Sequence, residues 1–244
     1  MGHEQSIVIG AMKGGSAKTA STYNLAYSLA EQGKRFLAID FDPQSNLTTC
    51  FGVEKTGEVP VTIGHLMISV LEEEDLPEKT RFIWEREGVD FIPAPMMLSA
   101  VDAKLRLEMG TGKILSTILD VVKDDYDYVL IDTCQSLGAL TTINALSVAD
   151  DVIVTGNPQL LAMMGLQDFL KTVTKIQNRI NNKLQGAGIL LTICDARTIL
   201  SKTIVEEVQE TFKGQLTVFE NKIPNTVKVG ESIYYSQPLI EYAP

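Results

Sequence analysis

Residues Lys13 to Ala20 read "KGGSAKTA" and follow the apolar run Ile7–Val8–Ile9. A short apolar strand, a glycine-rich turn and then Lys-Thr opening an amphipathic stretch is the layout of a loop that holds phosphate. Backbone N–H groups of the turn and the positive end of the following helix face the anion. Lys18 reaches toward the β- and γ-phosphates, and the Thr19 hydroxyl is placed to bind Mg²⁺. The general pattern GxxxxGK[ST] is not met, because Met12 and Ala17 stand where its two glycines belong. Glycine is used before the lysine because the backbone approaches the phosphates closely there. With a negative φ at Ala17 the methyl group costs little beyond crowding against the β-phosphate. Ala20 replaces a hydroxyl residue, which removes a possible α-phosphate contact and keeps the backbone N–H.

Working outward, the second apolar run ends in "AIDFDPQSNLTT", which sets Asp40 and Asp42 at a strand C-terminus, where α/β sheets bind ligands. Further on, "YDYVLIDT" ends a run buried on both faces at Asp132, as a carboxylate does when it supports Mg²⁺ through water. Helix capping explains any one of these carboxylates and poorly explains three at ends of strands. The periodicity alternates short apolar runs with longer helical patterns, as parallel βαβ units do. It predicts strands over Ser6–Gly10, Phe36–Asp40, Asp90–Pro93, Tyr128–Asp132, Asp151–Thr155, Gly188–Ile193 and Leu216–Lys222. Helices are expected over Lys18–Gln32, Gly112–Lys123, Leu137–Val148, Met163–Asn181 and Thr203–Lys213. The charged segment Glu72–Glu87 reads as an irregular surface excursion. With no repeat, low-complexity tract or Pro/Gly-rich linker, the expected fold is α/β: one domain over 1–244, a mostly parallel twisted sheet with helices on both faces.

Composition narrows the function classes. The chain has 244 residues, 45% of them hydrophobic, and a formal net charge of −10. That acidity argues against a general nucleic-acid binder, whose affinity comes from Lys and Arg neutralising phosphate, so a DNA face has to be a local patch. No apolar run reaches transmembrane length and no secretory leader pattern opens the chain, so a cytoplasmic location is expected. Cys50, Cys134 and Cys194 are odd in number and lack a CxxC pair, which suits reduced thiols better than a metal site within one chain.

Taken together, "KGGSAKT", "IDFDPQSNLT", "IDTCQSLGALTTINAL", "LLTICDARTILS" and "IPNTVKVGESIYYSQPLIEY" resemble, in order and across nearly the whole chain, the ParA branch of the ParA/MinD ATPases with their deviant Walker A motif. The resemblance implies a P-loop NTPase fold, ATP and Mg²⁺ as cofactors, and a nucleotide site made of Lys13, Gly14, Gly15, Ser16, Ala17, Lys18, Thr19 and Ala20. It makes Lys13 the lysine that crosses a homodimer interface to the partner's nucleotide, with ATP sandwiched between subunits. It implies that Asp42 positions the attacking water, Asp40 supports the metal and Asp132 is the Walker B aspartate. Residues 133–138 become a switch loop reporting the γ-phosphate, and Pro224 and Asn225 fall where the family contacts adenine. Arg197 and Lys228, with Lys202 and Lys222 beside them, match basic positions used for nonspecific DNA binding, although Asn225 stands where a basic residue is usual. Gln135 stands where the family often has proline, and the chain stops at Pro244, short of the family's usual terminal helix.

The implied function is an ATPase that closes as an ATP dimer, binds DNA over the nucleoid, and is released when a ParB-like adaptor stimulates slow hydrolysis, thereby segregating or positioning a cargo. Two rivals share the motifs. A MinD-like membrane-positioning ATPase needs a basic amphipathic C-terminal anchor, which this sequence lacks. A nucleotide-switched scaffold with little hydrolysis needs only that Ala17 has slowed turnover.

Overall fold

The computed structural model describes residues 5–11, 14–53, 59–95, 98–105, 113–135, 139–185 and 187–243, with the backbone alone for 99, 100, 160–164 and 187. Among them, eight strands form one sheet: β1 Gln5–Gly10, β2 Phe36–Phe41, β3 Trp84–Arg86, β4 Val89–Ile92, β5 Tyr128–Thr133, β6 Asp151–Gly156, β7 Ala187–Leu191 and β8 Thr217–Val218. Their order is β3-β4-β2-β5-β1-β6-β7-β8, and every neighbouring pair is parallel except β3 with β4.

The helices are α1 Lys18–Glu31, α2 Asn46–Cys50, α3 Ile63–Leu71, α4 Leu98–Leu105, α5 Ile114–Val122, α6 Leu140–Val148, α7 Leu160–Arg179, α8 Ile199–Phe212, α9 Val227–Tyr234 and α10 Leu239–Tyr242. They cover both faces of the sheet. Leu37, Ile39, Val129 and Ile131 point into the larger core, which α3 to α8 complete. The alternate residues Phe36, Ala38 and Leu130 point to the opposite core under α1 and α2. There Phe51 stacks on Phe91 at 4.4 Å between ring centroids and meets Tyr23 edge-on at 5.3 Å. Strands apolar on both faces are what a doubly covered parallel sheet requires, and each fully buried Leu, Ile or Phe contributes about 1.5–3 kcal/mol of transfer free energy.

The expected elements are present, with corrections at their ends and in one connection. The segment Glu72–Glu87 is not wholly an excursion: Phe82 is buried, and Trp84–Arg86 pairs antiparallel with β4 through a two-residue turn at Glu87 and Gly88. Both turn residues have positive φ, 51° and 79°, the geometry that matches the right-handed twist of a tight hairpin. Strand β7 ends at Leu191 rather than Ile193, because Ile193 is left-handed at φ 55° and cannot continue a ladder. The last expected strand shrinks to Thr217–Val218, and beyond it only isolated bonds continue, from Phe219 N to Ile189 O and from Ile223 N to Leu191 O. Helix α8 begins at Ile199, four residues before the expected start, where the Thr198 hydroxyl accepts from Ser201 N and caps it. Gly112 and Leu137, the expected starts of two other helices, lie outside the described residues.

Candidate nucleotide site

The centre of the sheet places the chemistry. Strand β1 lies between β5 and β6, and β2 lies on the other side of β5. Asp40 and Asp132 are direct neighbours across the β2–β5 ladder. The turn after β1 delivers Lys18, the first residue of α1, over the same edge. Its Nζ donates to Asp132 Oδ1 at 2.9 Å and lies 3.6 Å from Asp42 Oδ2. Thr19 Oγ1 donates to Asp132 Oδ2 at 2.8 Å, and Thr22 Oγ1 to Asp132 Oδ1 at 3.2 Å. Asp40 Oδ2 accepts from Thr48 N and Thr48 Oγ1, at 2.8 and 2.7 Å, while its Oδ1 accepts from Asp42 N at 3.2 Å. Asp42 Oδ1 accepts from Gln44 N at 3.0 Å. Among the described residues, the buried charged side chains are Lys18, Asp40, Asp42 and Asp132, and all four are in this cluster.

Burial of charge is costly unless it is paired, so one cation among three carboxylates is an unbalanced arrangement. Burial works to lower the Lys18 pKa, but Asp132, Asp42 and Asp40 outweigh it and hold the ammonium above its ordinary value. Burial, and then the charge of Asp132, push Asp40 up to about 7, against the hydrogen bonds from Thr48 and Asp42 N–H. The pocket is therefore short of positive charge at neutral pH. Its donor set suits a hard divalent cation: the Thr19 hydroxyl spends its proton on Asp132 and keeps its lone pairs, and the rest are carboxylate oxygens. Asp40 is placed differently from a direct ligand, since both of its oxygens already accept hydrogen bonds within the protein.

The loop between β1 and α1 has a strained turn of the kind that anion sites use. Gly15 has φ 70°, and Ala17 is left-handed at φ 55°, ψ 26°. The condition under which alanine is harmless thus does not hold; a non-glycine residue in that region costs on the order of 1 kcal/mol. Among the described residues no side chain caps α1, and its first N–H groups stand at the positive end of the helix, where an anion is favoured.

Gly14 and Ser16 lie in the turn before α1, and Ala20 lies in its first turn. Lys13 lies outside the described residues, as do residues 136–138 of the expected switch segment; Thr133, Cys134 and Gln135 directly follow Asp132. Pro224 and Asn225 are exposed at the same sheet edge, where Asn225 N bonds Cys194 O and Pro224 bridges Cys194. Arg197 is exposed on the turn before α8 and is clamped by Asp195, with Nε and Nη2 each donating at 2.9 Å. Those two bonds, and then a third from Arg197 N, hold the Asp195 carboxyl down at about 2. Lys228 is exposed in the first turn of α9. The bonds joining 194 to 223–225 tie together the segments that lead into the Arg197 turn and into α9.

Three residues of the site carry no signal strong enough to single them out in the sequence. Thr155, at the end of β6, has its hydroxyl 3.1 Å from Ser16 Oγ, and Thr192, after β7, donates to Ser16 O at 2.8 Å. They fasten the loop to the far half of the sheet. Thr48 does the same for Asp40 and also accepts from Ala94 N. For Thr155 and Thr192 the available signal was a threonine at or just past the C-terminal end of an apolar strand, as in "VIVTG" and "LLTIC".

Comparison with known proteins agrees with this geometry. A family model described as an AAA domain matches residues 4–186. The chain is 36% identical over 238 residues to the sporulation initiation inhibitor protein Soj of Bacillus subtilis, covering 98% of this chain and 91% of Soj. It is 32% identical over 238 residues to the chromosome partitioning protein ParA of Caulobacter vibrioides, covering 97% and 86%. Among solved structures, cobyrinic acid a,c-diamide synthase from Mycobacterium smegmatis with bound ADP and magnesium superposes with a TM-score of 0.82 at 30% identity, over 95% of this chain and 91% of that one.

Proposed function

The chain belongs to the AAA-domain family of its matching model, as a ParA-type ATPase of the ParA/MinD P-loop proteins, and on that premise we propose that it hydrolyses ATP in a Mg²⁺-dependent cycle of dimerisation and DNA binding. The observation that carries this reading is the concentration of all the described buried charge on Lys18, Asp40, Asp42 and Asp132 at one strand edge.

Lys18 and the uncapped start of α1 bind the β- and γ-phosphates, together with Gly14, Gly15, Ser16, Ala17 and Ala20. Mg²⁺ would supply neutralisation of the phosphate charge that builds up in phosphoryl transfer. Thr19 would hold it directly and Asp132 through water, with Asp40 contributing its negative field rather than a free oxygen. Asp42 orients the attacking water. ATP binding releases Lys18 from its carboxylates, because the triphosphate competes for the same ammonium. Lys13 then reaches the nucleotide of a second subunit, and Pro224 and Asn225 flank the adenine. The resulting homodimer doubles the Arg197 and Lys228 patch, which binds DNA without sequence preference, and a ParB-like adaptor accelerates hydrolysis in the cytoplasm. Among the described residues no helix is long and apolar enough to cross a membrane.

The test is phosphate release and molecular size measured with ATP, with and without Mg²⁺. Turnover that needs Mg²⁺, with a shift to twice the monomer mass in ATP, is expected. A dimer that forms without turnover would favour the nucleotide-switched scaffold, which the strained Ala17 supports. No nucleotide effect on either quantity would sink the reading.

A further inference from the structure

The side chain of Gln135 has no part in the site as built above, yet it lies on the phosphate loop. A Cβ placed on Gly14 would be 3.0 Å from Gln135 Nε2 and 3.1 Å from Oε1, so the carboxamide rests directly against the loop backbone. Gln135 is three residues beyond Asp132 and two beyond the end of β5, on the edge where Lys18, Thr19 and Asp132 meet. The side chain is exposed, and the carboxamide makes no hydrogen bond to a described residue. It thus presents an unused donor and an unused acceptor at the mouth of the phosphate site.

A carboxamide has both functions and does not titrate, so it can bridge a phosphoryl oxygen and a water at any working pH. Glutamine performs this service in other P-loop hydrolases, where it orients the attacking water. Asp42, the group assigned to the water above, has one oxygen engaged by Gln44 N, and its other oxygen is freed only once the triphosphate draws Lys18 away. Its carboxylate is partly committed elsewhere, which leaves orientation of the water to be shared.

We propose that Gln135 is a catalytic residue of ATP hydrolysis, its Nε2 donating to a γ-phosphoryl oxygen and its Oε1 accepting from the attacking water; this rests on the ATPase reading. The water oxygen bonds to the γ-phosphorus as the bond to the β–γ bridging oxygen breaks, and that electron pair leaves with ADP. The proton lost by the water passes to a phosphoryl oxygen, giving inorganic phosphate. Gln135 gains and loses no proton.

The experiment compares the full chain with its Gln135→Ala and Gln135→Glu variants in steady-state and single-turnover hydrolysis. Affinities for ADP with aluminium fluoride and for a non-hydrolysable ATP analogue are measured in parallel. Gln135→Ala should lower kcat on the order of 100-fold with KM little changed. It should weaken the aluminium fluoride complex, which mimics the transferring group, and spare the ATP analogue. Gln135→Glu, which removes the donor and sets a negative charge beside the phosphates, should not restore the rate. An unchanged kcat in Gln135→Ala, or an equal loss of both affinities, would show a packing contact with Gly14 alone and overturn the role. Failure of the unsubstituted chain to hydrolyse ATP with Mg²⁺ and DNA present would instead overturn the ATPase reading, and the role with it.

Discussion

Ala17 carries a methyl group in a backbone conformation that favours glycine, with φ 55°. Ala17→Gly should raise stability by roughly 1 kcal/mol, less the greater entropy of an unfolded glycine. Urea unfolding of the nucleotide-free protein measures this, and a drop in stability would mean that the methyl group makes compensating contacts. Asp40 supplies a second prediction, with a definite sign. Its pKa rises from 3.8 to about 7 on folding, so between those values the folded state binds more protons than the unfolded one. Its contribution to stability therefore falls as pH rises from about 4 to about 7, and is flat above that. Metal-free Asp40→Asn should lack this decline, so its stability relative to the parent should improve between pH 5 and pH 8. A parallel pH dependence in the two proteins would refute the assignment. The identities of Lys18, Thr19 and Asp132 were legible in the sequence because their chemistry has few other uses at that spacing. The φ of Ala17 was not, because the closure of the loop between β1 and α1 sets it, and residue type does not.

Among the elements, the expected parallel core was legible because doubly buried strands such as Val129–Leu130–Ile131 carry their environment in their composition. Short α2, α9 and α10 and the three-residue β3 gave no periodic signal, since each is shorter than the window over which periodicity is read. The ties between elements were equally hidden. Thr192 follows β7, two strands away from β1, and its hydroxyl holds the carbonyl of Ser16. Nothing local in "LLTIC" names that partner. Thr192→Val should cost about 1 kcal/mol, since it strands a buried acceptor. It should also weaken nucleotide binding, because the loop loses an anchor on its β6–β7 side. Titration of ADP against both proteins checks this, and unaltered affinity would mean that the bond from Thr155 suffices.

For the molecule as a whole, the difficult quantity is a net charge of −10 in a chain proposed to hold DNA. Arg197 is already bonded to Asp195, so its charge is locally cancelled until a phosphate competes for the guanidinium. DNA affinity in ATP should fall steeply with salt. Arg197→Ala or Lys228→Ala should each flatten the log–log slope by about 1 for every phosphate that is no longer neutralised. Filter binding across salt concentration measures this; slopes that neither substitution moves would place the DNA surface elsewhere or remove it. Composition alone could not settle the matter, because net charge is a sum and binding depends on where the few cations stand.

The two ends of the sheet have a consequence of their own. At one end β3 is three residues long, with exposed Glu85 and Arg86 and a tight hairpin behind it; at the other, β8 is two residues long. An unpaired strand edge is a template on which another chain can add a strand, and short, charged edges refuse that role. Among the described residues, the sheet therefore offers little edge on which a neighbour could add a strand. Self-association is steered away from edge-to-edge polymerisation and toward loops and helix faces, where a bound ligand can switch it on and off.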